Sequence, residues 1–124
     1  LWRLAGVHQL HVNGIRNKFW EPDESVIHSI KACLTPGYGD VRLMPVVSSG
    51  QWGGQAPDTF RATGTVDLMY LAGGGIQGHP DGPAAGVRAI QQAWEAAVRG
   101  ETIADYAREH IELQHAMQAF GHRT

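Results

Sequence analysis

The sequence predicts an α/β fold with parallel β-strands, and two observations support this prediction. The order of an apolar strand, a glycine-rich loop and an amphipathic helix occurs three times along the chain. Alternating strands and helices are typical of parallel sheets whose strands are joined by helical crossovers. The predicted strands are also nearly continuous apolar runs, which is the pattern expected when both faces of a sheet are covered.

The first unit begins with a predicted strand at residues 7–12 (VHQLHV), followed by the loop NGIRNKFWEP. Its helix is predicted from about Pro22 to Leu34, because proline suits the first turn of a helix, where no N–H is needed. Apolar residues at the spacing of one buried face support this helix: Val26, Ile27, Ile30, Cys33 and Leu34. Cys33 is therefore expected to be a small buried residue rather than a nucleophile.

The second and third units follow the same plan. The second has a strand at residues 42–47 (RLMPVV), the loop SSGQWGGQ and a short helix at about 56–64. The third has a strand at 66–72 (VDLMYLA), the loop GGGIQGHPDG and a helix at about 83–99. The buried face predicted for that helix comprises Val87, Ile90, Trp94, Ala97 and Val98. A final helix is predicted at about 102–120, and its TIAD start resembles a capping box with Asp in place of Glu.

Composition limits the class of protein. The chain has 124 residues, 43% of them hydrophobic, with a formal net charge of −2, as expected for one modest globular domain. No basic stripe with interleaved aromatic residues is present, which argues against nucleic-acid binding. No apolar stretch approaches the roughly 20 residues that span a bilayer, so no membrane association is expected. A single cysteine excludes an internal disulfide and fits a cytoplasmic location.

Three strand–helix units are too few for a closed domain. An open sheet of three strands would leave long edges exposed, and a (β/α)₈ barrel needs about 250 residues. The opening residues LWRLAG resemble the last turn of a helix followed by a glycine stop. We therefore expect residues 1–124 to be the C-terminal fragment of a (β/α)₈ barrel, its last three units and final helices. A small doubly wound sheet, complete in itself, is the alternative.

Glycines and serines follow the second and third predicted strands. Functional groups of parallel α/β folds gather at the carboxyl ends of the strands. Gly73 and Gly74 carry no Cβ atoms, so their N–H groups can converge on an anion. Ser48, Ser49 and Gly50, one unit earlier, add two hydroxyls and another bare backbone. Together these loops predict a phosphate site, the alternative being that the glycines serve only a tight turn.

Basic residues follow the first predicted strand. His11 ends that strand, and its imidazole could hydrogen-bond a second anionic group. Lys18 lies in a loop that could close over a ligand and bring an ammonium group to a developing negative charge; alternatively, it is a solvated surface lysine. His79 is expected to cap or brace its own loop, the alternative being that it meets the ligand. The remaining histidines show no metal-ligand spacing and no carboxylate pair stands at the strand ends, so Mg²⁺ ligands would have to come from outside this chain.

Three segments resemble the C-terminal part of the RuBisCO large-chain superfamily: HVNGIRNKF, MPVVSSGQ and LAGGGIQGHPDGPAAGVRA. Within it, the chain looks most like the RuBisCO-like proteins, the non-photosynthetic branch. The resemblance implies that the strands are six to eight of the barrel and that the full-length protein forms dimers or larger assemblies. It also implies a phosphorylated keto-sugar substrate, a Mg²⁺ ion that polarises its carbonyl group, and an enediolate intermediate.

The resemblance also implies roles for single residues. His11 matches the histidine that meets the distal phosphate, and Lys18 matches the mobile-loop lysine that stabilises the developing carboxylate in carboxylases. Ser48 matches a serine that contacts the hydroxyl or phosphate end of the substrate. The backbone cradle of the other phosphate matches Gly50, Gly73 and Gly74, next to Ser49, which stands where carboxylases have glycine.

This sequence departs from the carboxylase pattern around Lys18. Carboxylases have glycine just before the lysine and an acid two residues after it, whereas this chain has Asn17 and Trp20, and the nearest acid is Glu21. The loop is therefore expected to be stiffer. We expect a RuBisCO-like enzyme that enolises, isomerises, decarboxylates or transcarboxylates its substrate. A true ribulose-bisphosphate carboxylase and an inactive truncated chain are the alternatives.

Overall fold

The computed structural model describes residues 9–17, 21–35 and 43–121. The strands are β1 (Gln9–Asn13), β2 (Met44–Ser48) and β3 (Met69–Tyr70). The helices are α1 (Asp23–Leu34), α2 (Ala56–Thr63), α3 (Gly73–Gln77), α4 (Pro83–Arg99), α5 (Ile103–Ala107) and α6 (Ile111–Phe120), and a 3₁₀ turn at Gly53–Gln55 precedes α2.

Within this part of the chain the strands form a parallel sheet in the order β1–β2–β3, which confirms the predicted α/β class. The register pairs His11 with Val46 and Asn13 with Ser48. The carboxyl ends of β1 and β2 therefore lie side by side. Leu71, just beyond β3, still donates its N–H to the Val47 carbonyl oxygen at 2.8 Å, so the end of β3 lies at the same edge.

Helix α1 covers one face of the sheet as predicted. Val26 and Ile30 are fully buried and pack with Val47 of β2 and Ile15. Cys33 is also buried, and burial raises the pKa of its thiol, in agreement with the structural role predicted for it. Across the sheet, Met44, Met69 and Leu71 are about two-fifths exposed. Among the described residues, these three apolar side chains on the face opposite α1 are therefore only partly covered, although Val46 on the same face is 3% exposed, and full coverage of that face stays a prediction.

The predicted buried face of α4 is wrong in part. Val87 and Val98 are 42% and 55% exposed, and the buried positions of α4 are mainly alanines: Ala85, Ala89, Ala93, Ala96 and Ala97. Small side chains let α4 approach α2, α3 and α6, the helices with which it makes its main contacts. The apolar residues that stood out in the sequence were the larger ones, whereas the packing uses the small ones.

The third predicted strand is shorter than its apolar run. Only Met69 and Tyr70 pair with β2, because a local turn occupies the residues before them. The Asp67 N–H donates to the Thr65 hydroxyl at 3.0 Å, and the Leu68 N–H donates to the Val66 carbonyl at 2.8 Å. These bonds take up backbone groups that a longer strand would offer to its neighbour.

The predicted final helix is two helices. α5 begins with the expected cap, in which the Thr102 hydroxyl accepts from the Asp105 N–H at 3.1 Å. It ends because the His110 side chain, through Nδ1, hydrogen-bonds to the Tyr106 carbonyl oxygen at 2.7 Å. The His110 N–H, which would bond that oxygen in a continuing helix, donates to the Ala107 carbonyl oxygen instead. The break lies between residues 107 and 111, and α6 then packs against α4.

Candidate functional site

The carboxyl ends of β1 and β2 open into a cleft of about 400 Å³. It is lined by residues of both strands, of the loops that follow them and of α1: Leu10, His11, Val12, Asn13, Glu21, Ser29, Ser48 and Ser49. The structure therefore brings together three of the predicted site residues, His11, Ser48 and Ser49. His11 is exposed at this cleft, whereas the two serines are half-buried.

The loop after β2 has an unusual backbone. Ser49 and Gly50 have φ values of 76° and 72°, two consecutive residues in the left-handed region. Glycine adopts that region readily, but a serine needs compensation. Ser49 is held by two hydrogen bonds: its hydroxyl donates to Asn13 Oδ1 at 3.0 Å, and its carbonyl accepts from Gln51 Nε2 at 3.1 Å. The loop is therefore a rigid turn tied to β1.

Two buried glutamines, which the sequence analysis did not single out, fasten this loop to the one after β1. Gln51 and Gln55 each donate from Nε2 to the Ile15 carbonyl, at 3.1 and 3.0 Å. Gln51 packs so closely on Gly14 that a Cβ added to Gly14 would lie 2.1 Å from Cδ of Gln51. The signal was the repeated glutamine in SSGQWGGQ, whose partners lie about 36 to 40 residues earlier in the chain and cannot be inferred locally.

The triple glycine forms the first turn of a helix and not the predicted loop. Residues 73–77 are helical, and the Ile76 N–H donates to the Ala72 carbonyl at 2.7 Å. The first N–H groups of a helix have no acceptor inside it, so the backbone at Gly73 and Gly74 still presents donors at the strand end. The predicted contact of this backbone with a phosphate group stays a prediction, and only its local conformation differs from the expected loop.

The three glycines of α3 differ in what surrounds them. At Gly75 a Cβ would lie 3.0 Å from the Gln51 carbonyl oxygen and from Trp52 Cβ, so this residue packs directly on the loop after β2. At Gly73 and Gly74 a Cβ would meet no atom of the described chain within 4 Å, and neither φ is positive. The loop after β2 and the start of α3 therefore touch, and two of the three glycines face open space.

His79 braces the loop, as predicted. It is 4% exposed, and its Nε2 lies 2.8 Å from the Glu112 carbonyl oxygen of α6. Its Nδ1 accepts from the Asp81 N–H at 3.0 Å, which places the ring proton on Nε2. The side chain thus joins the loop after α3 to α6.

Lys18 lies outside the described residues, but both ends of its loop are described. Asn17 Nδ2 donates to the carbonyls of Gly14 at 3.0 Å and Glu21 at 3.1 Å, so one amide joins the two ends. The Arg16 N–H donates to Asp23 at 2.8 Å, and the Arg16 guanidinium pairs with Asp58 of α2 at 2.6 Å. The residues on either side of positions 18–20 are therefore fastened, and the stiffness expected of the loop itself stays a prediction.

Two ionisable groups near the site have altered acidity. The hydrogen bond from Arg16 lowers the pKa of Asp58. The positive charges of Arg16 and Arg61 lower this pKa further, whereas partial burial of the carboxylate raises it. Burial raises the pKa of the Tyr70 phenol, whose oxygen lies 2.8 Å from the Trp52 carbonyl oxygen. Tyr70 is therefore a neutral structural group beneath the loop after β2.

The described residues contain no group of three or more His, Cys, Asp or Glu side chains able to hold a metal ion. None of the helices in residues 9–17, 21–35 and 43–121 is long and apolar enough to cross a membrane.

Parallel strands with helices between them place this chain in the α/β class, whose functional groups commonly lie at the carboxyl ends of the strands. Residues 1–120 match the family described as ribulose bisphosphate carboxylase large chain, catalytic domain. The chain belongs to this family.

Two relatives carry names that describe an activity. The chain is 59% identical over 121 residues to a 3-oxo-isoapionate-4-phosphate decarboxylase of Rhizobium rhizogenes, covering 96% of this chain and 29% of that protein. It is 50% identical over 119 residues to a 3-oxo-isoapionate-4-phosphate transcarboxylase/hydrolase of Xanthobacter autotrophicus, covering 94% and 29%. The chain thus spans less than a third of the length of these curated relatives.

Solved structures agree with this assignment. The chain superposes on a rubisco-like protein of Burkholderia fungorum with a TM-score of 0.91 and 44% identity, covering 94% of this chain and 30% of that one. It superposes on an octameric ribulose-1,5-bisphosphate carboxylase/oxygenase of Pyrococcus horikoshii with a TM-score of 0.82 and 31% identity, covering 94% and 27%.

Proposed function

We propose that this chain is the C-terminal part of a RuBisCO-type (β/α)₈ barrel and supplies its strands six to eight. Two observations support this placement. The chain covers 29% of its Rhizobium relative, and its sheet has the parallel order β1–β2–β3. The partly exposed apolar face with Met44, Met69 and Leu71 would then line the barrel interior, where side chains of the other strands pack.

We infer that the full-length protein binds a phosphorylated keto-sugar at this strand-end cleft. The observation that carries this inference is the pair Gly73 and Gly74, which have neither a close neighbour nor a positive φ in the described chain. A phosphate group on their N–H groups would explain the absence of side chains there. Gly50 and Ser48 would complete this phosphate site, and His11, across the cleft, would hydrogen-bond the second anionic end of the substrate.

Decarboxylation is the reaction that the comparisons favour. In a 3-oxo acid, the bond to the carboxylate carbon breaks, its electron pair moves toward the keto oxygen, and CO₂ leaves an enolate that is then protonated. Lys18, in the segment between Asn17 and Glu21, would place an ammonium group beside the developing negative charge. The described residues do not supply a Mg²⁺ ligand set, so we assign the ion to parts of the protein outside this chain and give it no step here.

We also propose that the full-length protein is a homodimer or a larger homo-oligomer. The Pyrococcus neighbour is octameric according to its description. The expected cytoplasmic location remains a prediction.

An assay of the full-length protein tests the proposed reaction. With 3-oxo-isoapionate 4-phosphate and Mg²⁺ we expect release of CO₂, and loss of that activity when Lys18 is changed to Met. In a parallel reaction with ribulose 1,5-bisphosphate and labelled CO₂ we expect no incorporation. Robust carboxylation would contradict the proposal and favour a true carboxylase.

The isolated 124-residue chain tests the alternative of an inactive truncated protein. Because its sheet has a partly exposed apolar face, we expect the isolated chain to aggregate or to unfold without a cooperative transition by circular dichroism. A cooperative melt of a monomer would contradict the placement in a larger barrel.

A further inference from the structure

The cleft contains a carboxylate to which the proposed function gives no role. Glu21 lines the cleft together with His11, Asn13 and the two serines. Its Oε1 lies 3.4 Å from Asn13 Nδ2, but its Oε2 is shielded from solvent and has no hydrogen-bond partner among residues 9–17, 21–35 and 43–121. A buried carboxylate oxygen without a donor is costly, more so than a neutral group. Such an atom at the wall of a cleft points to a donor supplied by a ligand.

A chain of hydrogen bonds holds this carboxylate in place. The Ser49 hydroxyl donates to Asn13 Oδ1 at 3.0 Å, and the other end of the same amide donates to Glu21. The backbone of Glu21 is fixed separately, because its carbonyl accepts from Asn17 Nδ2 at 3.1 Å. Asn17 and Ser49, two positions at which this sequence departs from the carboxylase pattern, therefore both act on Glu21.

Arg16, the described basic residue nearest to Glu21 in sequence, is engaged elsewhere. The Arg16 guanidinium pairs with Asp58 of α2 at 2.6 Å and also lies 3.5 Å from the Gly54 carbonyl oxygen. The amide of Asn13 is committed at both ends. A carboxylate attracts a hydroxyl donor and repels a phosphate group, so the ligand group expected at Oε2 is a hydroxyl of the sugar and not its phosphate.

We propose that Oε2 of Glu21 accepts a hydrogen bond from a sugar hydroxyl of the substrate, and that Asn13 and Ser49 position this carboxylate. The inference rests on the proposed function, because it takes the ligand to be a phosphorylated keto-sugar. Glu21 then fixes the orientation of the substrate, with the hydroxyl-bearing part at β1 and the phosphate at the glycines of α3.

The test compares two probes on variants of the full-length protein, 3-oxo-isoapionate 4-phosphate and inorganic phosphate, with binding measured by calorimetry. For Glu21→Gln we expect affinity for the sugar phosphate to fall roughly 10- to 100-fold, while affinity for inorganic phosphate stays equal or rises. Glu24→Gln, at an exposed position in the first turn of α1, is the matched control and should change neither affinity. Retained phosphate binding shows that a variant is folded.

Two further variants separate direct contact from indirect effects. Asn13→Ala should weaken sugar-phosphate binding by itself but add nothing to Glu21→Gln, because it acts through the same carboxylate. Glu21→Asp keeps the charge but withdraws the oxygen, and we expect it to lose sugar-phosphate affinity as well.

Three results would overturn the inference. Unchanged sugar-phosphate affinity in Glu21→Gln would remove Glu21 from the ligand while leaving the proposed function intact. If Glu21→Gln no longer lowers sugar-phosphate affinity when Lys18 is also changed to Met, the carboxylate acts by positioning the lysine and not by contacting the sugar. Wild-type protein that binds inorganic phosphate but not the sugar phosphate would overturn the proposed function together with this inference.

Discussion

Gly74 of α3 and Gly86 of α4 lie close in sequence and differ in what surrounds them. A Cβ on Gly86 would lie 2.4 Å from the carbonyl oxygen of Ile76, whereas a Cβ on Gly74 would meet no described atom within 4 Å. Gly86 is therefore required by the contact between α3 and α4, but the packing of the described residues does not require Gly74. The difference teaches that glycine serves close helix packing in α4, whereas in α3 it leaves open space among the described residues.

The largest effect is expected where the glycine is packed. Gly86→Ala forces the backbone of α3 away from α4, because the clashing atom belongs to the main chain and cannot rotate aside. We expect the free energy of unfolding of the full-length protein to fall by about 3 kcal/mol, measured by urea denaturation. Gly74→Ala is the control and should leave stability equal or up to about 1 kcal/mol higher, since alanine favours a helix. Equal losses in both variants would remove the distinction.

Phosphate binding, unlike stability, should depend on Gly74. Gly74→Leu places a side chain in the space that we assign to a phosphate group, so affinity for inorganic phosphate should fall by about tenfold or more, with the melting temperature unchanged. Gly121→Leu, where an added Cβ would also meet no described atom within 4 Å, offers a comparison at the end of α6. Unchanged phosphate affinity in Gly74→Leu would show that the glycine serves only the chain turn.

The parts of the fold that depend on local sequence were the ones that could be predicted. α1 and the bounds of α4 follow from proline at the start, glycine or polar residues at the end, and apolar periodicity between them. The break before α6 depends on a hydrogen bond between the His110 side chain and the Tyr106 carbonyl oxygen. β3 is shortened by the turn in which the Thr65 hydroxyl accepts from the Asp67 N–H. Such competition between side chain and backbone is decided by geometry, so the apolar pattern alone did not indicate it.

The candidate site shows the same division. His11, Ser48, Ser49 and the glycines were found because polar and glycine residues after strands are visible in the sequence. The groups that hold them together were not found, because their partners are distant in sequence. Ser49 and Asn13 are 36 positions apart, as are Gln51 and Ile15. Only the parallel register of β1 and β2 brings these pairs into contact.

The smallest effect is expected at the surface ion pair that anchors the Lys18 loop to α2. The side chains of Arg16 and Asp58 are each about one-third exposed, so the pair should contribute only about 0.5 kcal/mol. Because Arg16 lowers the pKa of Asp58 below its ordinary value of 3.8, this stabilisation is present above that pH. It should disappear as the pH falls through the lowered value, where the carboxyl is protonated in the folded state too.

Urea denaturation of wild-type protein and Arg16→Gln at pH 7 and at successively lower pH measures this contribution. The difference between the two proteins should be largest at neutral pH and shrink toward zero in acid. Arg108→Gln, which removes a more exposed pair with Asp105 at 3.6 Å, should show a smaller difference at neutral pH. If Arg16→Gln instead leaves stability unchanged at pH 7, the ion pair does not stabilise the loop. The Asn17 amide and the two glutamines would then hold the loop, and the Arg16–Asp58 contact would be a consequence of that packing.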